Sequence, residues 1–161
     1  MSKIKRGDHP MPQQQKPKLI LIAQALLMLG VALAPAQTGF RFFWPQDIWD
    51  WIGTGLAILG CLIVLVALHA LRKAFTIEAA AKQGTQLITH FPFTHSRNPM
   101  YVGGLLMSLA WSLLQRSWLA ALLTLALGIV LNLKVRIEEK NLELLFGEAY
   151  RSYKNSVRRY F

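Results

Sequence analysis

Two short segments of the 161-residue chain concentrate the side chains able to handle protons, anions or hydrogen bonds. The first reads Thr94-His95-Ser96-Arg97-Asn98-Pro99-Met100-Tyr101-Val102-Gly103-Gly104, the second Lys134-Val135-Arg136-Ile137-Glu138-Glu139-Lys140. An arginine orients an anion through its planar fork, and a carboxylate or imidazole accepts a proton. This mixture suits work on a polar headgroup. Cysteine chemistry fits poorly, because Cys61 is the only cysteine and lies in an apolar run, which excludes a disulfide or a cysteine metal site within one chain. His69, His90 and His95 lack metal-ligand spacing, so no metal is expected.

The elements that must position these segments are apolar. Residues 101–114 and 118–133, joined by Gln115, Arg116 and Ser117, lie between them and read as a helical hairpin, which brings its two ends together. Two further runs, residues 19–36 and 51–68, come earlier, and none of the four contains Asp, Glu, Lys or Arg. The chain is 53% hydrophobic and 16% charged, against roughly 45–50% and 25% in a soluble domain. A bilayer core about 30 Å thick takes about 20 helical residues, so the first two runs span it with their flanks. The second pair is short and implies tilt or a thinned bilayer. The expectation is an all-α, polytopic membrane helical bundle of about four transmembrane helices in two hairpins, followed by a C-terminal cytoplasmic amphipathic helix.

Net charge is +10, from 18 Lys+Arg against 8 Asp+Glu. Sixteen of the basic residues fall before the first run, between the second and third, or after the fourth, leaving only Arg41 and Arg116 for the other loops. The positive-inside rule therefore places both termini and the central loop in the cytoplasm. The surplus is topological, with attraction to anionic membrane lipids, and no nucleic acid is expected as a partner. Phe40, Phe42, Phe43, Trp44, Trp49, Trp51 and Trp118 bracket the outer loops as an interfacial aromatic belt.

Residues 1–18, with three prolines and consecutive glutamines, read as a flexible cytoplasmic tail, and residues 19–161 as one membrane domain. Residues 72–98 form a loop too long for a simple connector. Residues 134–161 read as the C-terminal helix. Leu142, Leu145, Phe146, Ala149, Tyr150, Tyr153 and Val157 give it an apolar stripe against the membrane or the bundle, with a bend at Gly147. Small residues recur every fourth position at Gly30 and Ala34, at Gly53, Ala57 and Cys61, and at Gly104, Ser108 and Ser112, which reads as close helix packing. Packing within one chain or in a homo-oligomer satisfies them equally. Within the spans the only ionisable candidate is His69, near a cytoplasmic end, and no internal repeat is evident, so a transporter finds no support.

Arg97-Asn98-Pro99-Met100-Tyr101-Val102-Gly103, a helical hairpin, Glu138-Glu139, then Phe146-Gly147-Glu148-Ala149-Tyr150 and Tyr153 together resemble the integral membrane methyltransferases related to isoprenylcysteine carboxyl methyltransferase and the phospholipid N-methyltransferases. The resemblance covers roughly residues 84–161. It implies S-adenosyl-L-methionine as methyl donor, bound at the cytoplasmic end of the bundle, and a lipophilic small-molecule or lipid substrate. It further implies that Gln86, Leu87, Ile88, Phe93, Arg97, Asn98, Pro99, Met100 and Tyr101 line the cofactor and that Glu138 holds one of its polar groups. For catalysis, Arg136 would orient a carboxylate acceptor, and Glu139 or His95 would take the proton of an amine acceptor.

The chain departs from the family at three places. Asn98 stands where histidine is common, which keeps a hydrogen bond and removes a titrating ring. Phe91-Pro92-Phe93 replaces a Gly-Pro-Tyr type turn, and Val157-Arg158-Arg159 a Val-Pro-Arg ending. The alternative reading is a non-catalytic membrane interaction protein that retains the bundle.

Overall fold

The computed structural model describes residues 18–36, 46–81 and 87–160. Among them the chain is all-helical: α1 (Lys18–Leu33) ends in a 3-10 turn at Ala34–Ala36, and α2 (Gln46–Ala81), α3 (Pro99–Leu114), α4 (Trp118–Phe146) and α5 (Glu148–Ser156) follow. Gln86, the first 17 residues, and the aromatic residues Phe40, Phe42, Phe43 and Trp44 lie outside the described residues.

Among the described residues, two helices are long and apolar enough to cross a membrane, over Ile48–Arg72 and Trp118–Phe146. Helices α1 and α3 have 16 residues each, about 24 Å at 1.5 Å per residue, and fall short of the length expected for a span. Large apolar side chains cover the outside: Leu26 on α1 is 63% exposed, Leu62 on α2 54% and Leu125 on α4 68%. In water such surfaces would be a liability; facing lipid they are the preferred exterior.

Helix α2 packs on α3, α3 on α4, and α1 on α4 with a lesser contact to α3. The expected pairing of the first two runs as a hairpin is therefore not what forms. Close approach of α2 to α3 explains the preference. A Cβ on Gly60 would lie 2.7 Å from the Gly103 carbonyl oxygen, and one on Gly103 equally close to that of Gly60. Gly53, Gly60 and Ala67 line the seam from α2, and Gly103 and Ala110 from α3, all buried. Their seven-residue spacing keeps one face toward the partner over several turns. The fourfold stripes read from sequence are only partly on packed faces: Gly30 and Ala34 face α4, Gly53 lies in the seam and Ser112 is buried, but Cys61 is exposed and Gly104 has open space around it. Ser112 serves the other interface, its hydroxyl 3.2 Å from that of Thr124 on α4.

The α3–α4 turn forms where expected. Arg116 adopts φ 52°, and Ser117 caps α4 by accepting a hydrogen bond from the Ala120 amide at 3.2 Å. Arg116 also reaches back to Asp50 near the start of α2 at 3.1 Å, tying the two ends on that side. Helix α4 does not stop at Leu133. The Lys, Arg, Glu and Leu residues beyond it are good helix formers, so α4 carries Glu138 and Glu139 on a continuous rod and breaks only at Gly147. The separate C-terminal helix is consequently shorter than residues 134–161.

Candidate active site at the open end of the hairpin

Helix α2 runs on to Ala81, so residues 72–81 of the expected 72–98 loop are helical, and residues 87–98 arrive at α3 as a loop. The Phe93 amide donates to the His90 carbonyl at 2.9 Å and the His95 amide to that of Pro92 at 3.2 Å. Pro99 occupies the first position of α3, as its missing N–H allows. Asn98 precedes the helix without capping it, because its side-chain amide donates instead to the Arg159 carbonyl at 3.3 Å.

That contact belongs to a C-terminal strap over the loop. The Arg97 amide donates to the Arg158 carbonyl at 3.1 Å, and the Ser96 hydroxyl to that of Arg159 at 3.3 Å. From α5, the Tyr153 hydroxyl donates to the Phe93 carbonyl at 2.7 Å. Tyr150 and Tyr153 are buried against the loop, and burial pushes both phenols up to about 12. Of the amphipathic stripe, Tyr150 and Tyr153 are therefore spent on the loop, while Leu145 and Ala149 stay exposed.

Loop, hairpin end and α5 enclose a cavity of about 360 Å³. Leu71, Leu87, Ile88 and Phe93 line one side, Leu142, Leu145 and Phe146 another, and Tyr150 and Tyr153 the α5 side. The polar lining is Arg97, Asn98, Glu138 and Glu139. Adjacent carboxylates on a helix point about 100° apart, and here their surroundings diverge. Glu139 is 5% exposed and clamped between two guanidiniums: Arg97 Nη2 stands 3.2 Å from Oε1, and Arg159 Nη2 donates to Oε2 at 2.6 Å. The same hydrogen bond holds the Arg159 guanidinium firmly in its charged form. Glu138 is 41% exposed. It accepts a shared hydrogen bond from the Tyr101 hydroxyl at 2.9 Å to each oxygen and has Lys134 Nζ at 3.9 Å. Lys134 in turn donates to Gln24 of α1 at 2.9 Å and lies 5.1 Å from the centre of the Tyr101 ring.

Of the residues singled out from sequence, Leu87, Ile88, Phe93, Arg97, Asn98, Glu138 and Glu139 meet around this cavity. Tyr101 reaches it only through Glu138, and Pro99 and Met100 shape the helix start without lining it. Arg136 is exposed on α4; two residues from Glu138 put it about 200° around the helix. His95 is exposed and paired with the Thr94 hydroxyl at 2.9 Å. Sequence reasoning overlooked Lys134, Tyr150, Tyr153 and Arg159 as site components. Tyr150 and Tyr153 were visible in the apolar stripe, and Arg159 stands where the Val-Pro-Arg ending has its arginine and Arg158 where it has proline, but that ending was read only as a departure.

A second, apolar groove of about 400 Å³ runs between α3 and α4, lined by Leu105, Leu106, Leu109, Leu125 and Gly128. Its polar end is Asn132, whose side-chain oxygen accepts a hydrogen bond from Tyr160 at 3.0 Å.

The family model for phospholipid methyltransferases matches residues 48–149. The match spans α2, the loop, α3 and α4, and so takes in Arg97, Asn98, Tyr101, Glu138 and Glu139, but it stops before Tyr153 and Arg159. Comparison with curated proteins returns no match. With well over half its length matched, and with the motif segments gathered at one end of the hairpin, the chain belongs to the phospholipid methyltransferase family, the isoprenylcysteine and phospholipid methyltransferase-like group of membrane enzymes.

Proposed function

We propose that the protein transfers a methyl group from S-adenosyl-L-methionine to a lipophilic acceptor carrying a carboxylate or amine head, at the cytoplasmic membrane surface. The observation that carries this reading is the single cavity bounded by both motif segments. Its volume lies within the range of small-molecule sites, and its lining is mostly apolar with a few converging polar groups. In this reading α1 to α4 all cross the bilayer, the short α1 and α3 completing their spans with flanking residues, and the charge distribution sets both termini on the cytoplasmic side.

The donor, when bound, supplies an electrophilic methyl on a sulfonium. Glu138 accepts hydrogen bonds from ribose hydroxyls or pairs with the ammonium, each charge-assisted bond contributing about 1.5–3 kcal/mol. Tyr101 and Lys134 hold Glu138 toward the cavity. Leu87, Ile88 and Phe93 exclude water and contact the adenine. The α3–α4 groove takes the acceptor's tail laterally from the bilayer. Alignment of the acceptor with the methyl, at about 3–3.5 Å, is the main catalytic contribution available. Glu139, with guanidiniums on both oxygens, acts here as a structural anion, so a proton from an amine acceptor leaves by another group or by water.

The test is equilibrium binding of S-adenosylhomocysteine to the purified protein in detergent and in lipid. Micromolar affinity, about −8 kcal/mol, is expected, weakened about tenfold or more by Glu138→Gln and by Tyr101→Ala. Transfer of labelled methyl into a lipid extract identifies the acceptor class: base releases methanol from an ester and leaves an N-methyl amine intact. Absence of binding to the folded wild type in both media overturns the reading in favour of the non-catalytic interaction protein.

A further inference from the structure

Helix α1 precedes the residues that the family model matches, yet it contributes a side chain to the surroundings of Glu138. After Lys18 its only polar residue is Gln24, set among Leu, Ile, Ala and Met. A carboxamide on a helix with a lipid-facing exterior is costly unless it finds a partner. Gln24 finds Lys134, whose Nζ donates to its Oε1 at 2.9 Å. The same Nζ stands further from Glu138 Oε1, at 3.9 Å, although the carboxylate carries a charge and the carboxamide does not. Coulomb attraction alone would reverse that order. Helix geometry works against the ion pair, because both side chains lean toward the N-terminus of α4 and the lysine, four residues earlier, leans away from the carboxylate. Gln24 and the Tyr101 ring, whose centre is 5.1 Å from Nζ, give the ammonium other partners. The Lys134 side chain is only 14% exposed, so water supplies little in their place. Among the described residues, Tyr101 alone donates a hydrogen bond to Glu138, which keeps an accessible face.

We infer that Gln24 is a positioning residue for the cavity: by holding Lys134 at a distance from Glu138, it keeps the carboxylate oxygens open to the ligand. The inference rests on the donor reading above and adds to it a residue of α1, outside the matched segment. Without the carboxamide, the shielded ammonium turns to Glu138 for its hydrogen bond and closes on it. A ligand donor must then displace an ion pair where it otherwise meets an accessible carboxylate. The contact also makes the docking of α1 on α4 a condition for an open Glu138, so an element remote from the cavity lining takes part in ligand affinity.

The experiment is a double-mutant cycle read by binding of S-adenosylhomocysteine to the full chain in phosphatidylcholine nanodiscs. Gln24→Leu, similar in size and compatible with lipid, is expected to weaken binding about three- to tenfold. Gln24→Glu keeps an acceptor for Lys134 and should stay within about threefold of wild type. Lys134→Met removes the ammonium that Gln24 restrains, and adding Gln24→Leu to it should change affinity by less than about twofold. A carboxamide that only packs α1 against α4 predicts instead the same loss in both backgrounds. Wild-type affinity in Gln24→Leu, or additive losses in the double variant, overturns the inference and leaves the donor reading standing. Absence of binding by wild type overturns both. Should the leucine variant fail to fold, judged by its unfolding midpoint, the glutamate variant decides: retained affinity supports the inference, and a loss beyond about threefold overturns it.

Discussion

Glu138 accepts hydrogen bonds from Tyr101 and keeps 41% of its side chain accessible, while Glu139, one residue on, is 5% exposed between Arg97 and Arg159. Removing one charge from a buried ion cluster costs about 3–5 kcal/mol. Glu139→Gln should therefore lower the thermal midpoint by about 6–20 °C in a domain of this size, measured by unfolding in detergent. Glu138→Gln should leave the midpoint within about 2 °C and reduce ligand affinity instead. A matched loss of stability in both variants would contradict this division. Both carboxylates were legible as candidates for the site, but nothing in their spacing divides their roles. Their difference depends on helix rotation and on Arg159, which lies 20 residues further along the chain. Arg136 shows the same limit, since its residue type suits a substrate clamp and its angular position takes it off the cavity.

At the scale of elements, α5 and the strap after it determine whether the loop is held. Gly147 makes the turn from α4 to α5 with φ 55°, and its open surroundings mean that a methyl group meets no neighbour. Gly147→Ala should then destabilise by about 1–3 kcal/mol through backbone conformation alone, seen as a lower unfolding midpoint with ligand stoichiometry intact. Tyr150 and Tyr153 supply a pH dependence. Their buried phenols stay neutral to about 12, whereas in the unfolded chain they ionise near 10. The unfolded state thus binds fewer protons above pH 10, and stability falls from about pH 10 toward pH 12. Replacing Tyr153 with Phe should flatten that fall in an alkaline titration of the midpoint. The amphipathic stripe was legible as such, yet a single sequence could not say whether membrane or bundle would cover it. The covering surface is a loop whose shape depends on tertiary contacts.

For the whole molecule, the runs at residues 19–36 and 101–114 were read close to their helical limits, because a stretch of that length without charge is the pattern a helix adopts where lipid replaces water, whereas α2 continues to Ala81 and α4 to Phe146 because their charged ends are still good helix formers. Helix pairing was less accessible. It follows from a seam in which Gly60 and Gly103 meet backbone to backbone, one position away from the small residues that sequence spacing emphasised. Gly103→Ala should push α2 from α3 and cost about 1–3 kcal/mol by overpacking. Gly104→Ala, next to it but with open space, should be neutral or stabilising by up to about 1 kcal/mol. A comparison of the two unfolding midpoints tests the register directly. The strap has one more consequence. Arg159 anchors to Glu139 at the polar cavity, and Tyr160 anchors to Asn132 at the mouth of the apolar groove. Consecutive Cα atoms are about 3.8 Å apart, so one peptide unit serves as a party wall between the cavity and the groove, and a displacement of either anchor is carried directly to the other.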